Sequence, residues 1–87
     1  MYTVYILYSH KDKKLYVGCT TDIGKRLVRH NTGQVEAIKN RRPFSLIYSE
    51  KFLEKAKAFN RERFLKSLWG AKLKKKALDN FLKNKAC

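Results

Sequence analysis

Cysteine is scarce in this chain: Cys19 and Cys87 are the only two among 87 residues. Two are too few for a disulfide framework, and neither has a neighbour at the spacing of a zinc motif. Proline occurs once, at Pro43, and glycine four times, at Gly18, Gly24, Gly33 and Gly70. So little punctuation leaves no linker, internal repeat or low-complexity segment, and one domain is expected over residues 1–87. Long apolar runs are missing as well, none approaching the ~20 residues that span a bilayer. The opening MYTVYILYSH lacks the basic n-region and small-residue cleavage site of a secretory signal. These absences lead us to expect a cytoplasmic protein without a membrane partner.

Acidic residues are the other shortage. Seven Asp and Glu face 21 Lys and Arg, a formal charge of +14. Self-repulsion at that charge is a standing cost that a polyanionic partner offsets, so nucleic acid is the expected ligand. Residues 51–87 hold twelve basic and three acidic side chains, and residues 1–50 hold nine and four. The excess is therefore denser toward the C-terminal part. No stretch combines a bulky apolar face with a basic one as an interfacial helix does.

What is present suffices for a core. Hydrophobic residues make up 44% and aromatics 13%, which excludes wholesale disorder. Tyr2 to Ser9 is rich in β-branched and aromatic residues and reads as a strand. The polar cluster His10 to Lys14 turns the chain into a second strand, Leu15 to Thr20, giving an antiparallel hairpin. Thr21 or Asp22 is placed to cap a helix through about Asn31, with Gly33 as its left-handed stop. Residues 34–42 read as a loop or short helical turn, and Phe44 to Phe52 as a third strand after Pro43. A helix is predicted from Leu53 or Glu54 to about Trp69, broken by Gly70. A last one runs from Lys72 to Asn84, with Leu73, Ala77, Leu78, Phe81 and Leu82 facing inward. The order ββαβαα predicts an α+β domain: a three-stranded, mainly antiparallel sheet with flanking helices.

Polar groups on faces that ought to be apolar mark candidate sites. Arg26 and His30 lie on or beside the stripe that Ile23 and Leu27 define, four residues apart, so they can converge on one anion. The structural alternative is that Arg26 snorkels and His30 caps the helix C-terminus. Glu62 shares a predicted face with Phe59, Leu65 and Trp69. A carboxylate there is costly unless paired or bound to a hard divalent cation. Pairing with Lys66 at i+4, or with Arg26, is the alternative. Tyr5 and Tyr16 stand near the middle of the hairpin strands, where most tyrosines simply pack. Gly18 in a strand interior marks a bulge or a close backbone approach, expected to open space beside Tyr16.

Taken together these residues resemble a known family. Thr3-Val4-Tyr5, ten intervening residues, then Tyr16-Val17-Gly18 is similar to the paired triplet of the GIY-YIG endonucleases. Arg26 follows Tyr16 by ten residues and His30 follows by four more, like that family's Arg-x-x-x-His helix. Asn31, Gly33, Arg41-Arg42-Pro43 and Leu46-Ile47-Tyr48-x-Glu50 resemble the connecting segment of its short members. Arg61-Glu62 followed by Phe64-Leu65-Lys66-Ser67 resembles the segment bearing the metal-binding glutamate. Thr3 replaces the first Gly, and no residue matches the Asn that larger members place after the glutamate helix.

The resemblance spans Tyr2 to about Lys76. It implies hydrolysis of DNA phosphodiesters with one Mg²⁺ or Mn²⁺ held at Glu62. Arg26 would hold the phosphate, Tyr5 or Tyr16 would serve as a phenolate base of lowered pKa, and His30 would assist proton transfer. Lys39, Arg41, Arg42 and Lys66 are the candidates for contacts to nucleic-acid backbone. A role in DNA repair or recombination, with targeting by DNA structure or by a protein partner, is the expectation that follows. A non-catalytic basic binding module and a ribosome-associated protein are the competing classes.

Overall fold

Three strands build the frame. Tyr2–Ser9 forms β1, Leu15–Thr20 forms β2 and Phe44–Phe52 forms β3, all antiparallel in the spatial order β2-β1-β3. The central strand is buried from Thr3 to Ser9, as its run of Val, Ile, Leu and Tyr dictates for a strand covered on both faces. The computed structural model describes residues 1–33 and 41–85, the last two by backbone alone. Helices α1 (Ile23–Asn31), α2 (Lys55–Lys66) and α3 (Ala71–Lys85) complete the predicted ββαβαα order. Among the described residues, no helix is long and apolar enough to cross a membrane.

The period-two alternation of β1 sorts the helices. Val4 and Ile6 join Val17, Ala58 and Leu65 in one cluster, with Leu73 against it, and Tyr8 stacks on Phe81. That face therefore belongs to α2 and α3. Tyr5 and Leu7 point the other way, packing with Phe44, Tyr16, Ile23 and Leu27, so α1 covers the opposite face. A register shift between Ile6 and Leu7 leaves Ile47 unpaired on β3. This bulge flips the strand's parity, bringing Ile47 to the α2 side and Phe44 to the α1 side. Two hydrogen bonds between Asn31 and the backbone of Phe44, at 2.7 and 3.2 Å, tie the end of α1 to the start of β3.

The local signals of the N-terminal half behave as predicted. Asp22 is the cap of α1, its carboxylate accepting from the Lys25 amide at 3.1 Å, and Gly33 takes the left-handed conformation with φ +78. The C-terminal half differs in three respects. Helix α2 ends at Lys66, because Ser67 is extended (φ −86, ψ 170), and Leu68–Gly70 is a separate 3-10 turn. Trp69 is thereby thrown off the helix and is 84% exposed. Gly70 earns its place by contact: a Cβ there would lie 2.6 Å from Leu65 Cα and Phe64 O, so only glycine lets the turn fold back onto α2. The inward face of α2 is made by Ala58 and Leu65, while Phe59 is half exposed. On α3, Leu82 faces solvent instead of the core.

Candidate active site

Tyr5 leans across the edge strand toward the position of Gly18, its cross-strand partner. A Cβ on Gly18 would stand 2.4 Å from the Tyr5 hydroxyl. The glycine thus opens space for Tyr5, not for Tyr16 as its place in the strand interior suggested. From α1, on the same face, His30 is 1% exposed and its Nε2 lies 3.0 Å from the Tyr5 hydroxyl. The imidazole is not a helix cap: it is boxed by aromatic rings, Tyr16 at 5.1 Å, Phe44 at 5.8 Å and Tyr5 at 5.9 Å. One helical turn earlier, the Arg26 guanidinium sits beside the Tyr5 phenol.

The electrostatics of this cluster run against the expectation of an activated tyrosinate at Tyr5. Burial pushes the Tyr5 phenol above its ordinary value. Arg26 pulls it back down, while Tyr16 and the charge of Glu62 add to the rise. Desolvation outweighs the guanidinium, so the phenol is held neutral. His30 is shifted below its ordinary value, first by burial and then by the positive Arg26. A neutral phenol and a neutral imidazole therefore share one proton across the 3.0 Å contact. Arg26 is shifted the other way, stabilised as a cation chiefly by the Tyr5 hydroxyl.

Among the described residues, two buried side-chain nitrogens hydrogen-bond to nothing: Arg26 Nε and His30 Nδ1. Buried polar groups are ordinarily satisfied, and each exception asks for a reason. Both exceptions fall in the cluster the sequence singled out. Beside it opens a groove of about 430 Å³ lined by Thr20, Thr21, Asp22, Lys25, Arg26 and Arg29. Lys25 and Arg29 were missed in the sequence, although their i, i+4 spacing beside Arg26 was the available signal. Lys25, Arg26 and Arg29, spaced along α1, form a cationic wall suited to a phosphate.

Glu62 stands apart from this group. It belongs to α2, which packs on the opposite face of the sheet, and its carboxylate is salt-bridged to Lys66 at 2.8 Å. The pairing alternative raised for it is therefore the one observed. Its charge nevertheless acts on Tyr5, Arg26 and the Cys19 thiol of β2, which puts the carboxylate within electrostatic reach of the cluster around edge strand β2. The expected convergence holds as contact for Tyr5, Tyr16, Arg26 and His30, and only as a field for Glu62.

No group of three His, Cys, Asp or Glu able to cage a metal occurs among the described residues. A single hard carboxylate oxygen still fits Mg²⁺ or Mn²⁺, which keep several waters and take substrate phosphates as ligands. The ion would replace Lys66 as the partner of Glu62.

The expected backbone contacts fare unevenly. Arg41 is committed internally, donating to Asp12 at 2.6 Å and to the Leu15 carbonyl at 3.3 Å. It pins the hairpin loop. The Arg42 guanidinium lies over Gly33, where a Cβ would meet it at 2.7 Å. Lys66 is half exposed, and Lys39 lies outside the described residues.

Known proteins match along the same residues. The GIY-YIG catalytic domain family matches residues 1–76. A UPF0213 protein of Staphylococcus saprophyticus is 45% identical over 58 residues, covering 66% of this chain and 71% of that one. A UPF0213 protein of Natronomonas pharaonis is 36% identical over 77 residues, covering 87% and 89%. No solved structure matches. The family match takes in both hairpin tyrosines, the Arg26–His30 helix and Glu62, so the chain belongs to the GIY-YIG family of nucleases.

Proposed function

We propose that the protein is an endonuclease that hydrolyses DNA phosphodiesters with the help of one Mg²⁺ or Mn²⁺. It would select its DNA by structure or through a protein partner, in repair or recombination. The observation that carries this reading is the unpartnered Arg26 Nε, buried beside the Tyr5–His30 pair at the wall of a cationic groove. Arg26 lines that groove, so its fixed positive charge faces the non-bridging oxygens of a phosphate lodged there, where negative charge grows as water attacks. Of the two phenols, Tyr5 is fully buried and kept protonated, whereas Tyr16 is only partly buried. Tyr16, acting as the phenolate after giving its own proton to solvent, would therefore be the group that receives the water's proton. Tyr5 and His30 hold its surroundings in place. A divalent ion at Glu62 would supply Lewis-acid neutralisation of the leaving 3′ oxygen.

The test is nicking of supercoiled plasmid, and cutting of branched, flapped and single-stranded DNA, with Mg²⁺ or Mn²⁺. Arg26→Ala is expected to lose about 10²–10³-fold, the usual effect of removing one preorganised donor. Glu62→Gln is expected to abolish the metal response. Wild-type inactivity on every substrate sinks the enzymatic reading, and equal activity in all three preparations removes Arg26 and Glu62 from it. The Glu62–Lys66 ion pair favours one second reading, a basic binding module that performs no cleavage. That reading predicts salt-sensitive DNA binding that Glu62→Gln leaves intact.

A further inference from the structure

The 3-10 turn between α2 and α3 holds an apolar pair in water: Leu68 is 92% exposed and Trp69 84%. Single exposed hydrophobics are ordinary, but adjacent large ones mark an interaction surface. Their setting is cationic without relief. From Arg63 to Lys76 the chain carries six Lys and Arg and no Asp or Glu. Further exposed aromatic and cationic groups lie on α2. Phe59 is 45% exposed and lines a cleft of about 310 Å³ with Glu62, Arg63 and Lys66. Lys55 lies over the Phe59 ring at 5.3 Å and Arg61 over the Phe64 ring at 5.1 Å.

We infer that Phe59 and Trp69, with Arg63 and Lys66, form a stacking track for unpaired DNA, with the cleft beside Glu62 receiving the strand next to the cut. This deepens the nuclease reading, on which it rests, by naming the substrate class as single-stranded or frayed DNA. Charge decides the occupant. A protein partner for Leu68 and Trp69 would have to carry a dense acidic rim, whereas a DNA strand brings a phosphate with each base. Exposed aromatics interleaved with Lys and Arg are the elements that bind single strands, the rings taking base faces and the cations the backbone. A duplex keeps its bases stacked on each other and offers these rings nothing. The track is therefore a filter for unpaired strands.

Trp69 is the only tryptophan in the chain, so its fluorescence reports this surface and no other. Titration of the whole protein with oligo(dT) in EDTA, where cleavage does not interfere, is expected to quench that emission. A duplex of equal length is expected to quench it far less. Trp69→Ala and Phe59→Ala, each followed by fluorescence anisotropy of labelled oligo(dT), are each expected to weaken binding about tenfold or more while duplex affinity changes little. Both positions are exposed, and unchanged melting temperatures establish that the variants are folded. Three results would overturn the track. They are an absence of quenching by oligo(dT), equal losses for duplex and single strand, and a DNA-free, concentration-dependent self-association that Trp69→Ala abolishes. The readout is independent of catalysis. A protein that cuts plasmid without quenching keeps the nuclease reading and loses the track; one that quenches without cutting does the reverse.

Discussion

The two faces of the sheet are built on opposite rules. Beneath α2 and α3 lies an ordinary apolar core, Val4, Ile6, Val17, Ala58 and Leu65, all less than a tenth exposed. Beneath α1 the same strand contributes Tyr5 to a buried polar pair with His30, next to a guanidinium whose Nε finds no partner. Both faces bury apolar side chains, but only the α1 face offsets part of that gain with polar groups left without partners. Unsatisfied buried nitrogens each cost about 1–3 kcal/mol. A chain this short tolerates such a cost only if the second face is kept for something other than stability.

The sharpest way to break the contrast is to damage each face in turn. Leu65→Ala, on the apolar side, removes a fully buried side chain and is expected to cost about 2–5 kcal/mol. Thermal or urea unfolding should register it, while the folded fraction retains its nicking rate per molecule. Gly18→Ala strikes the other face. The added methyl meets the Tyr5 hydroxyl and ring, and the ring cannot swing clear because it is fully buried. A loss of about 1–3 kcal/mol is expected from overpacking, together with a loss of activity out of proportion to the unfolded fraction. Gly18→Ala with normal activity would mean that the position of Tyr5 is immaterial to the chemistry.

The same contrast explains what could be read beforehand. All three strands, the Asp22 cap and the Gly33 stop are dictated by local chemistry, and local chemistry was sufficient. Arg26 and His30 were legible because polar residues on a buried stripe are conspicuous, whereas the place of Tyr5 beside them came only from the family resemblance. Helix α2 misled because its apolar residues come in adjacent pairs, Ala58-Phe59 and Phe64-Leu65, so two stripes compete. Only the sheet decides that Ala58 and Leu65 face inward. The stop at Ser67 was hidden for a similar reason. Ser67 ends that helix by donating its amide and hydroxyl to the Phe64 carbonyl, and the close seat of Gly70 on the Leu65 backbone fixes the turn that follows. The β3 bulge, which turns Phe44 toward His30, is a pairing property that no single strand announces.

A pH series sharpens the contrast more gently. His30 has its folded pKa below the unfolded value near 6.5, chiefly through burial and secondarily through Arg26. For a base so shifted the unfolded chain binds more protons, so stability is complete above that unfolded value and declines as pH falls toward the folded one. Melting temperatures between pH 7.5 and 5 should therefore drop more steeply for wild type than for His30→Gln. Parallel curves would show that the imidazole is not held neutral by its burial.

The smallest stability effect is expected at Lys66, on α2. Its ion pair with Glu62 at 2.8 Å is half exposed on the lysine side, and such i, i+4 pairs are worth about 0.3–0.5 kcal/mol. Lys66→Ala should thus barely move the melting temperature. Yet the lysine is the group a divalent ion must displace, so its removal frees a carboxylate. Mn²⁺ titrated without DNA, followed by paramagnetic broadening of backbone NMR signals around Glu62, should show tighter binding in Lys66→Ala than in wild type and none in Glu62→Gln. If Lys66→Ala binds Mn²⁺ no better, the lysine is not competing for that carboxylate. The ion would then have to be held mainly by the DNA phosphate, with Glu62 contributing only its distant charge to the cluster of Tyr5 and Arg26.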